Sequence, residues 1–410
     1  MEDDEEKNKN EINISSNDSE KKKIFDKIVN KSLLCSKSTV ELASNIIDNI
    51  VSMNKAEMFK LTENGLPDDL PELRLLVWKI NLEYLTSDWN QWNRYLESKR
   101  TAYKKYRAEI FKDLEKELET LKDYDKMGKE ERKEMDKKTH KIILEEICKD
   151  TNRTHTEMNF FVKPIDNKTI FTEKEIIELV EKKRNCTLKN INDTYKINIV
   201  LTHADVLSKI LFIYSKFEPN VGYVQGMNEI LAPIYYAFSF DRTNDDQSID
   251  DIEADSFWCF FNLMYILKDL FDKDNDKKQK RINSKTKKLK KMLKIVDKNL
   301  SEYLDSLKFD FTMFTLRWIC LMFSQDFEMM DLLRIWDYIL SNENKYENCF
   351  YLCLAVILMK KEKIIKETIY GIYENLQNLK DLEVENIIFN ANYIKNKCSK
   401  KCLEIMKNND

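Results

Sequence analysis

Five glycines and five prolines in 410 residues leave little material for tight turns between strands. Hairpins and βα crossovers draw on these residues at set positions, so sandwiches, barrels and glycine-loop nucleotide folds are disfavoured and the chain is expected to be all-α. The glycines fall at 65, 128, 222, 226 and 371, and two of them lie four positions apart within Gly222-Tyr223-Val224-Gln225-Gly226-Met227-Asn228-Glu229-Ile230. Upstream, Val206-Leu207, Ile210-Leu211, Ile213-Tyr214 and Phe217 recur at the helical period until Pro219-Asn220 stops them. Downstream, Ile230-Leu231, Ile234-Tyr235 and Phe238 form a second helix, in which Pro233 is tolerable only near the first turn. Gln225 therefore stands where a tight loop feeds a helix. It is either a capping or solvated residue beside two packing glycines, or a polar side chain presented by a rigid turn to a partner.

Charge is nearly balanced, with 68 Lys and Arg against 72 Asp and Glu and a net of −4, so no global basic field invites nucleic acid. The nine cysteines sit mostly in apolar helical patterns and read as reduced packing residues. Cys349/Cys353 and Cys398/Cys402 are i,i+4 pairs, but with only His140, His155 and His203 beside them no metal site is expected. Met1-Glu2-Asp3-Asp4-Glu5-Glu6 is the opposite of a signal peptide, and the last residues carry no prenylation box. The longest apolar run, Phe350 to Met359, is short of the ~20 residues that span a bilayer. A soluble, cytoplasmic protein is expected, reaching membranes only through a partner.

In chain order, residues 1–22 are expected to be a disordered acidic tail, and 23–62 to form helices that pack on the main body. The main domain is expected over 63–345, with further helices of the same domain over 346–405. Its first helix is well punctuated. Gly65-Leu66-Pro67-Asp68-Asp69-Leu70-Pro71-Glu72 supplies a turn, a cap and a proline at the first helical position, and Leu73, Val77, Ile80 and Tyr84 follow as a buried stripe. Arg74 and Trp78 are one turn apart, so the guanidinium can lie over the indole. Residues 97–139 read as a charged, narrow-striped helix projecting from the fold. Residues 163–200 read as a variable connection and 241–251 as an acidic loop. Residues 272–291 read as a lysine-rich, solvated insertion that could also meet an anionic surface. Between the charged stretches, Ile147-Cys148-Lys149-Asp150-Thr151-Asn152-Arg153-Thr154 ends a helix in residues that favour local side-chain bonds, and Asp150 is placed to hold Arg153. No GxxxxGK[ST], HExxH, GxSxG or EF-hand loop occurs, so any catalysis must lend side chains to a partner.

Three stretches together resemble the TBC-domain family of Rab GTPase-activating proteins, which carries RxxxW, IxxDxxRT and YxQG in this order. Arg74 to Trp78 matches the first, Ile147 to Thr154 every fixed position of the second, and Tyr223-Val224-Gln225-Gly226 the third. Arg317-Trp318 and Ile335-Trp336-Asp337 are similar to the family's C-terminal half, and the FIYSKFEPNVGYVQGMNEI and EADSFWCFFNLM stretches look most like its small, single-domain members. One departure is a missing glycine near the end of the first helix, where Asn81-Leu82-Glu83-Tyr84 stands.

The resemblance implies an elongated all-helical domain of two helical halves meeting near the Arg153 and Gln225 loops. It implies an activator without a substrate site of its own, which inserts Arg153 as an arginine finger and Gln225 as a glutamine finger into a GTP-loaded Rab-family GTPase. Asp150 would hold Arg153, and Tyr223 and Gly226 would shape the Gln225 turn. Thr154 and Asn228 would support the site, and Arg74, Trp78, Arg317, Trp318, Trp336 and Asp337 would be structural. No cofactor of its own is implied, since GTP and Mg²⁺ are bound by the partner, nor is nucleic acid. The expected setting is vesicle trafficking, peripheral to endomembranes, with the oligomeric state left open. The alternative is a helical scaffold that binds the GTP-loaded GTPase without accelerating hydrolysis.

Overall fold

The computed structural model describes residues 28–32, 35–86, 88–120, 140–165, 202–239 and 248–407. The expected acidic tail, the stretch 121–139 with Gly128, most of the 163–200 connection and residues 240–247 lie outside them. The described chain is helical, and its only extended pairing is an isolated bridge between Pro164 and Thr202.

α1 (Lys37–Val51) and α2 (Lys55–Thr62) pack as a pair at the N-terminal side, each started by a side-chain cap, Ser36 and Asn54. α3 (Pro71–Asn81) begins on its proline as the sequence predicts and buries Leu73, Val77, Trp78 and Ile80, but no aspartate caps it: Leu70 holds the cap position, and Asp68 is drawn to Arg74 instead. Its end shows how the missing glycine is accommodated. Leu82 caps the helix and Glu83 adopts a left-handed φ of 58°, the conformation a glycine would take.

α4 (Trp92–Thr120) does not project from the fold, at least as far as Leu114, which is buried. It lies along α8 (Ile249–Leu267), with Tyr103 wholly buried against Phe257. The charge that suggested solvent instead forms a ladder between the two helices. Arg100 chelates Asp255 at 2.8 and 2.7 Å, Lys104 pairs with Asp251, and Arg107 reaches Asp250 and Glu253. Asp250 and Asp251 are thus in the first turn of a helix capped by Ser248, not in an acidic loop.

α5 (His140–Thr151), α6 (His203–Phe217) and α7 (Met227–Ser239) complete this half with α4 and α8. Pro233 is the seventh residue of α7, deeper than expected, because the helix starts at Met227. The ring offers no N–H to the Glu229 carbonyl one turn back, so the first half of α7 lacks one helical bond.

The second half starts with α9 (Asn275–Val296), which corrects the expectation of a solvated insertion at 272–291. Ile282, Thr286, Leu289, Met292 and Leu293 form its buried stripe, and the lysines occupy its other faces. α10 (Lys298–Ser306) follows, then a single π-helical turn at Thr315–Cys320, α11 (Met329–Leu340), α12 (Lys345–Met359), α13 (Ile369–Gln377) and α14 (Val384–Lys407). α12 and α14 pack closely, burying Cys349, Cys353 and Cys402. One continuous apolar core runs through both halves, joined where α3 touches α7 and α11.

That junction is pinned by Asp337, buried on α11. Its carboxylate accepts from Arg74 Nε at 3.1 Å, Trp78 Nε1 at 2.7 Å and the Leu66 amide at 2.8 Å. Arg74 and Trp78 are therefore organised by a shared acceptor 263 and 259 positions away, which their one-turn spacing alone does not reveal. Trp336, the neighbour of Asp337, lies 5.7 Å from Trp78 ring to ring. Arg317 and Trp318 repeat the arrangement on a smaller scale, both reaching Asp326, at 2.8 and 3.3 Å.

Candidate functional site

α5 stops at Asp150-Thr151 because its last side chains turn back on the backbone. Asn152 N–H still reaches Cys148, but Arg153 N–H bonds Asp150 O at 3.1 Å and Thr154 N–H bonds Thr151 O at 3.3 Å, tightening the chain into a turn. Thr154 Oγ1 donates to Asp150 O at 2.9 Å, and Thr151 Oγ1 is 2.7 Å from Ser208 Oγ on α6. The turn is thus fixed to the body, while the Arg153 side chain stands 57% exposed.

The second loop leaves α6 at Phe217. Glu218 O accepts from Val221 and Gly222, and Gly222 takes φ +64° with Lys273 lying across the space a Cβ would fill. Gly226 takes φ +101°, and a Cβ there would sit 3.0 Å from Leu321 Cδ2. Backbone and packing both demand glycine at 226. Gln225, between them, is exposed, whereas its neighbours Tyr223, Gly226 and Asn228 are buried.

Side chains lock the two loops together. Asp150, itself buried, receives Arg153 Nη2 on Oδ1 at 2.6 Å and the Tyr223 hydroxyl on Oδ2 at 2.5 Å. Burial, then the bond to Asp150, holds the Tyr223 phenol well above its ordinary pKa, so it stays a donor. Asn228 Nδ2 donates to Thr154 Oγ1 at 2.8 Å, and its Oδ1 accepts the Gly226 amide at 3.2 Å. Asp150, Arg153, Thr154, Tyr223, Gly226 and Asn228 therefore form one constellation, with Gln225 at the tip of the turn they hold. Arg74, Trp78, Trp336 and Asp337 are gathered at the inter-half junction, and Arg317 and Trp318 lie on the π-helical turn.

Three residues of the neighbourhood were not singled out from sequence. His155 has a left-handed φ of 44°, with Nδ1 2.9 Å from Glu157 and buried Nε2 facing Glu229 Oε2 at 4.0 Å. Burial raises the Glu229 carboxyl above the usual range, against the pull of His155, Asn228 and Gln325. Gln325 belongs to the second half, so Glu229 links it to the loops. The positive φ at a non-glycine and the carboxylate after Asn228 carry no local sequence signal that distinguishes them from surface residues.

Among the described residues there is no group of His, Cys, Asp and Glu that could hold a metal ion, and no helix long and apolar enough to cross a membrane.

The family model for the Rab-GTPase-TBC domain matches residues 133–365. TBC1 domain family member 13 of Homo sapiens is 28% identical over 345 residues, covering 75% of this chain and 85% of the relative. A TBC domain-containing protein of Schizosaccharomyces pombe is 24% identical over 424 residues, covering 80% and 68% respectively. Among solved structures, the Ypt/Rab-GAP domain of Gyp1p superposes with a TM-score of 0.61 at 18% identity, over 87% of this chain and 99% of that one. The TBC domain of a Chlamydomonas flagellar RabGAP gives 0.50 at 14% identity, over 92% and 96%. Both share the helical architecture described above.

Proposed function

The chain belongs to the Rab-GTPase-TBC domain family, and on that footing we propose that it accelerates GTP hydrolysis by a Rab-family small GTPase, to which it lends Arg153 and Gln225. The observation that carries this reading is the single carboxylate of Asp150, which pairs with the guanidinium of Arg153 and, through Tyr223, holds the turn that presents Gln225.

Phosphoryl transfer asks little covalent chemistry of a protein. It needs an attacking water in line with the γ-phosphorus and positive charge on the phosphate oxygens. The GTPase brings the nucleotide, its Mg²⁺ and its phosphate loop. Arg153 supplies fixed charge and planar donors for the oxygens between the β- and γ-phosphates, a geometry lysine lacks. The Gln225 amide, with one donor and one acceptor end, orients the water. Because the two loops are already locked, docking has little backbone left to order, and the remaining cost is confined to the exposed Gln225 side chain and to the exchange of Asp150 for phosphate at Arg153.

The activity places the protein in vesicle trafficking, at endomembranes that its GTPase visits. It is tested by following GTP hydrolysis across a panel of Rab-family GTPases with and without the protein. Acceleration of one or a few supports the reading. Binding of a GTP-loaded member with no acceleration instead favours a scaffold that has kept both side chains without their use.

A further inference from the structure

Net positive charge is concentrated most strongly in a helix that the GTPase reading does not use. α9 carries ten Lys or Arg residues and one acidic residue, Asp276, in a chain whose net charge is −4. Its inner face is committed to the core, so the charge is confined to what remains. The flanking lysines are engaged. Lys285 lies 3.4 Å over the Tyr346 ring, Lys288 donates to the Met406 carbonyl at 3.0 Å, and Lys290 donates to the Phe309 carbonyl at 3.3 Å. Lys280, Lys287 and Lys294 are different. They are exposed, seven residues apart, and none has a hydrogen bond or carboxylate partner among the described residues. Two full turns separate each from the next, so they share one face over ~21 Å of a rigid helix.

Most acidic residues near α9 stand at its ends, although Asp310 faces the engaged Lys290 and Glu347 faces Lys407. Asp274 pairs with Lys277 and Asp269 with Arg281 at the start, and Glu302 with Lys298 beyond its end. The bond from Lys288 to Met406 brings the last turn of α14 beside the middle of α9, adding the exposed Lys407, with Lys400 and Lys401 on the preceding turns. The exposed Glu404 is the acidic residue within those turns.

We infer that this face of α9, with the end of α14, is a binding surface for an anionic lipid bilayer. Composition decides between polyanions. Protein interfaces are depleted in lysine and built on aromatic and arginine anchors, and single-stranded nucleic acid is held by aromatic stacking as well as charge. α9 has no aromatic residue and one arginine, Arg281. Lysines on flexible stems, in a straight row, suit a diffuse, extended field of lipid phosphates and carboxylates. With the apolar stripe of α9 buried, nothing on it is left to insert between acyl chains, so the attraction is electrostatic and acts within about 10 Å at 0.1 M salt. The helix also starts at the candidate site, where Lys273 lies over Gly222 and Phe271 is 3.7 Å from the Cβ position of Gly226. A membrane on the α9 face would therefore lie beside a GTPase docked over Arg153 and Gln225. Membrane binding itself does not depend on the GTPase reading and can succeed where that reading fails.

The test is co-sedimentation of the full chain with vesicles of phosphatidylcholine alone or with about a third phosphatidylserine. Binding is expected only to the mixed vesicles and is expected to disappear at 0.5 M salt. The triple substitution Lys280→Gln/Lys287→Gln/Lys294→Gln should weaken it at least about tenfold, and the Glu version should abolish it, since each lysine near such a surface is worth about fivefold. Equal melting temperatures for the wild type and the Gln variant separate this from misfolding, and the Arg153→Ala variant should bind as the wild type does. Equal binding to both kinds of vesicle, no binding at all, loss of nothing on triple substitution, or tighter binding to poly(U) RNA than to the mixed vesicles would overturn the inference.

Discussion

The Tyr223 hydroxyl lies 2.5 Å from Asp150 Oδ2 across a sequence gap of 73 residues, and the other oxygen of that carboxylate holds Arg153. This contact makes one unit of two loops that carry the exposed polar side chains. Tyr223→Phe removes the donor but leaves Asp150 paired with Arg153, so the fold should survive with a stability loss of ~1 kcal/mol. The Gln225 turn loses one of its two ties and keeps the Asn228–Thr154 bond, and a misplacement of about 1 Å can lower the rate ~100-fold. Denaturant titration and hydrolysis kinetics on the same variant separate the two effects. A rate unchanged by Tyr223→Phe would mean that Asp150 serves Arg153 alone.

The two glycines of the turn should not respond alike to alanine. At Gly222 the space for a Cβ is taken by the far end of Lys273, which can swing away, so Gly222→Ala carries mainly the left-handed backbone penalty of ~1 kcal/mol. At Gly226 the backbone is further from any L-residue minimum and Leu321 is fixed in the core, so Gly226→Ala should lose ~2–3 kcal/mol. Chemical denaturation of both variants checks the order.

Glu83 is mostly exposed and holds a left-handed conformation at the end of α3. Glu83→Gly should therefore stabilise the protein by ~1 kcal/mol, an unusual outcome for a glycine substitution. Its measure is a higher denaturant midpoint with unchanged slope.

Two buried aspartates should give opposite pH signatures. Burial pushes Asp326 up to about 6 despite Arg317 and Trp318, whereas Lys79 and Arg100 overcome burial and bring Asp255 down to about 2, both from an ordinary 3.8. The stabilising contribution of Asp326 is full below pH 4 and is lost as pH rises from about 4 to about 6. That of Asp255 is full above pH 4 and is lost as pH falls towards 2. Relative to wild type, Asp326→Asn should gain stability between pH 4 and 6. Asp255→Asn should be destabilised most at neutral pH, with the deficit shrinking in acid. Urea midpoints from pH 2.5 to 7 give both curves.

The motifs around Arg153 and Gln225 were legible because each is contiguous and its geometry is local: a helix terminus that turns on its own side chains, and a turn fixed by two glycines. The bridge between them was not, since Tyr223 to Asp150 is a long-range contact between residues that each look ordinary. Asp337 shows the same limit, as nothing near it announces Arg74 and Trp78. Where charge is dense the sequence misled. The stripe from Ile282 through Leu289 to Leu293 is helical, yet the lysines around it gave the stretch the look of a solvated loop. In the same way, the carboxylates that anchor α4 lie about 150 positions further on, as Glu253 does from Tyr103, so its charged face looked free. Pro233 sits deeper in α7 than its chemistry favours because the helix starts at Met227, three residues before the aliphatic stripe that marks it in the sequence.

The most direct test of the two-finger mechanism is single-turnover GTP hydrolysis by a responsive Rab-family GTPase, with wild-type protein, Arg153→Ala, Arg153→Lys and Gln225→Ala. Arg153 should account for ~10³ to 10⁵ in rate, with little rescue by lysine. Gln225→Ala should be severely impaired as well and should keep the wild-type melting temperature because its side chain is exposed, whereas Arg153→Ala should stay folded with a modestly lower one, since the buried Asp150 carboxylate gives up its guanidinium partner. Full acceleration by folded Arg153→Ala would contradict the mechanism, since the charge on the phosphates would then be met from elsewhere.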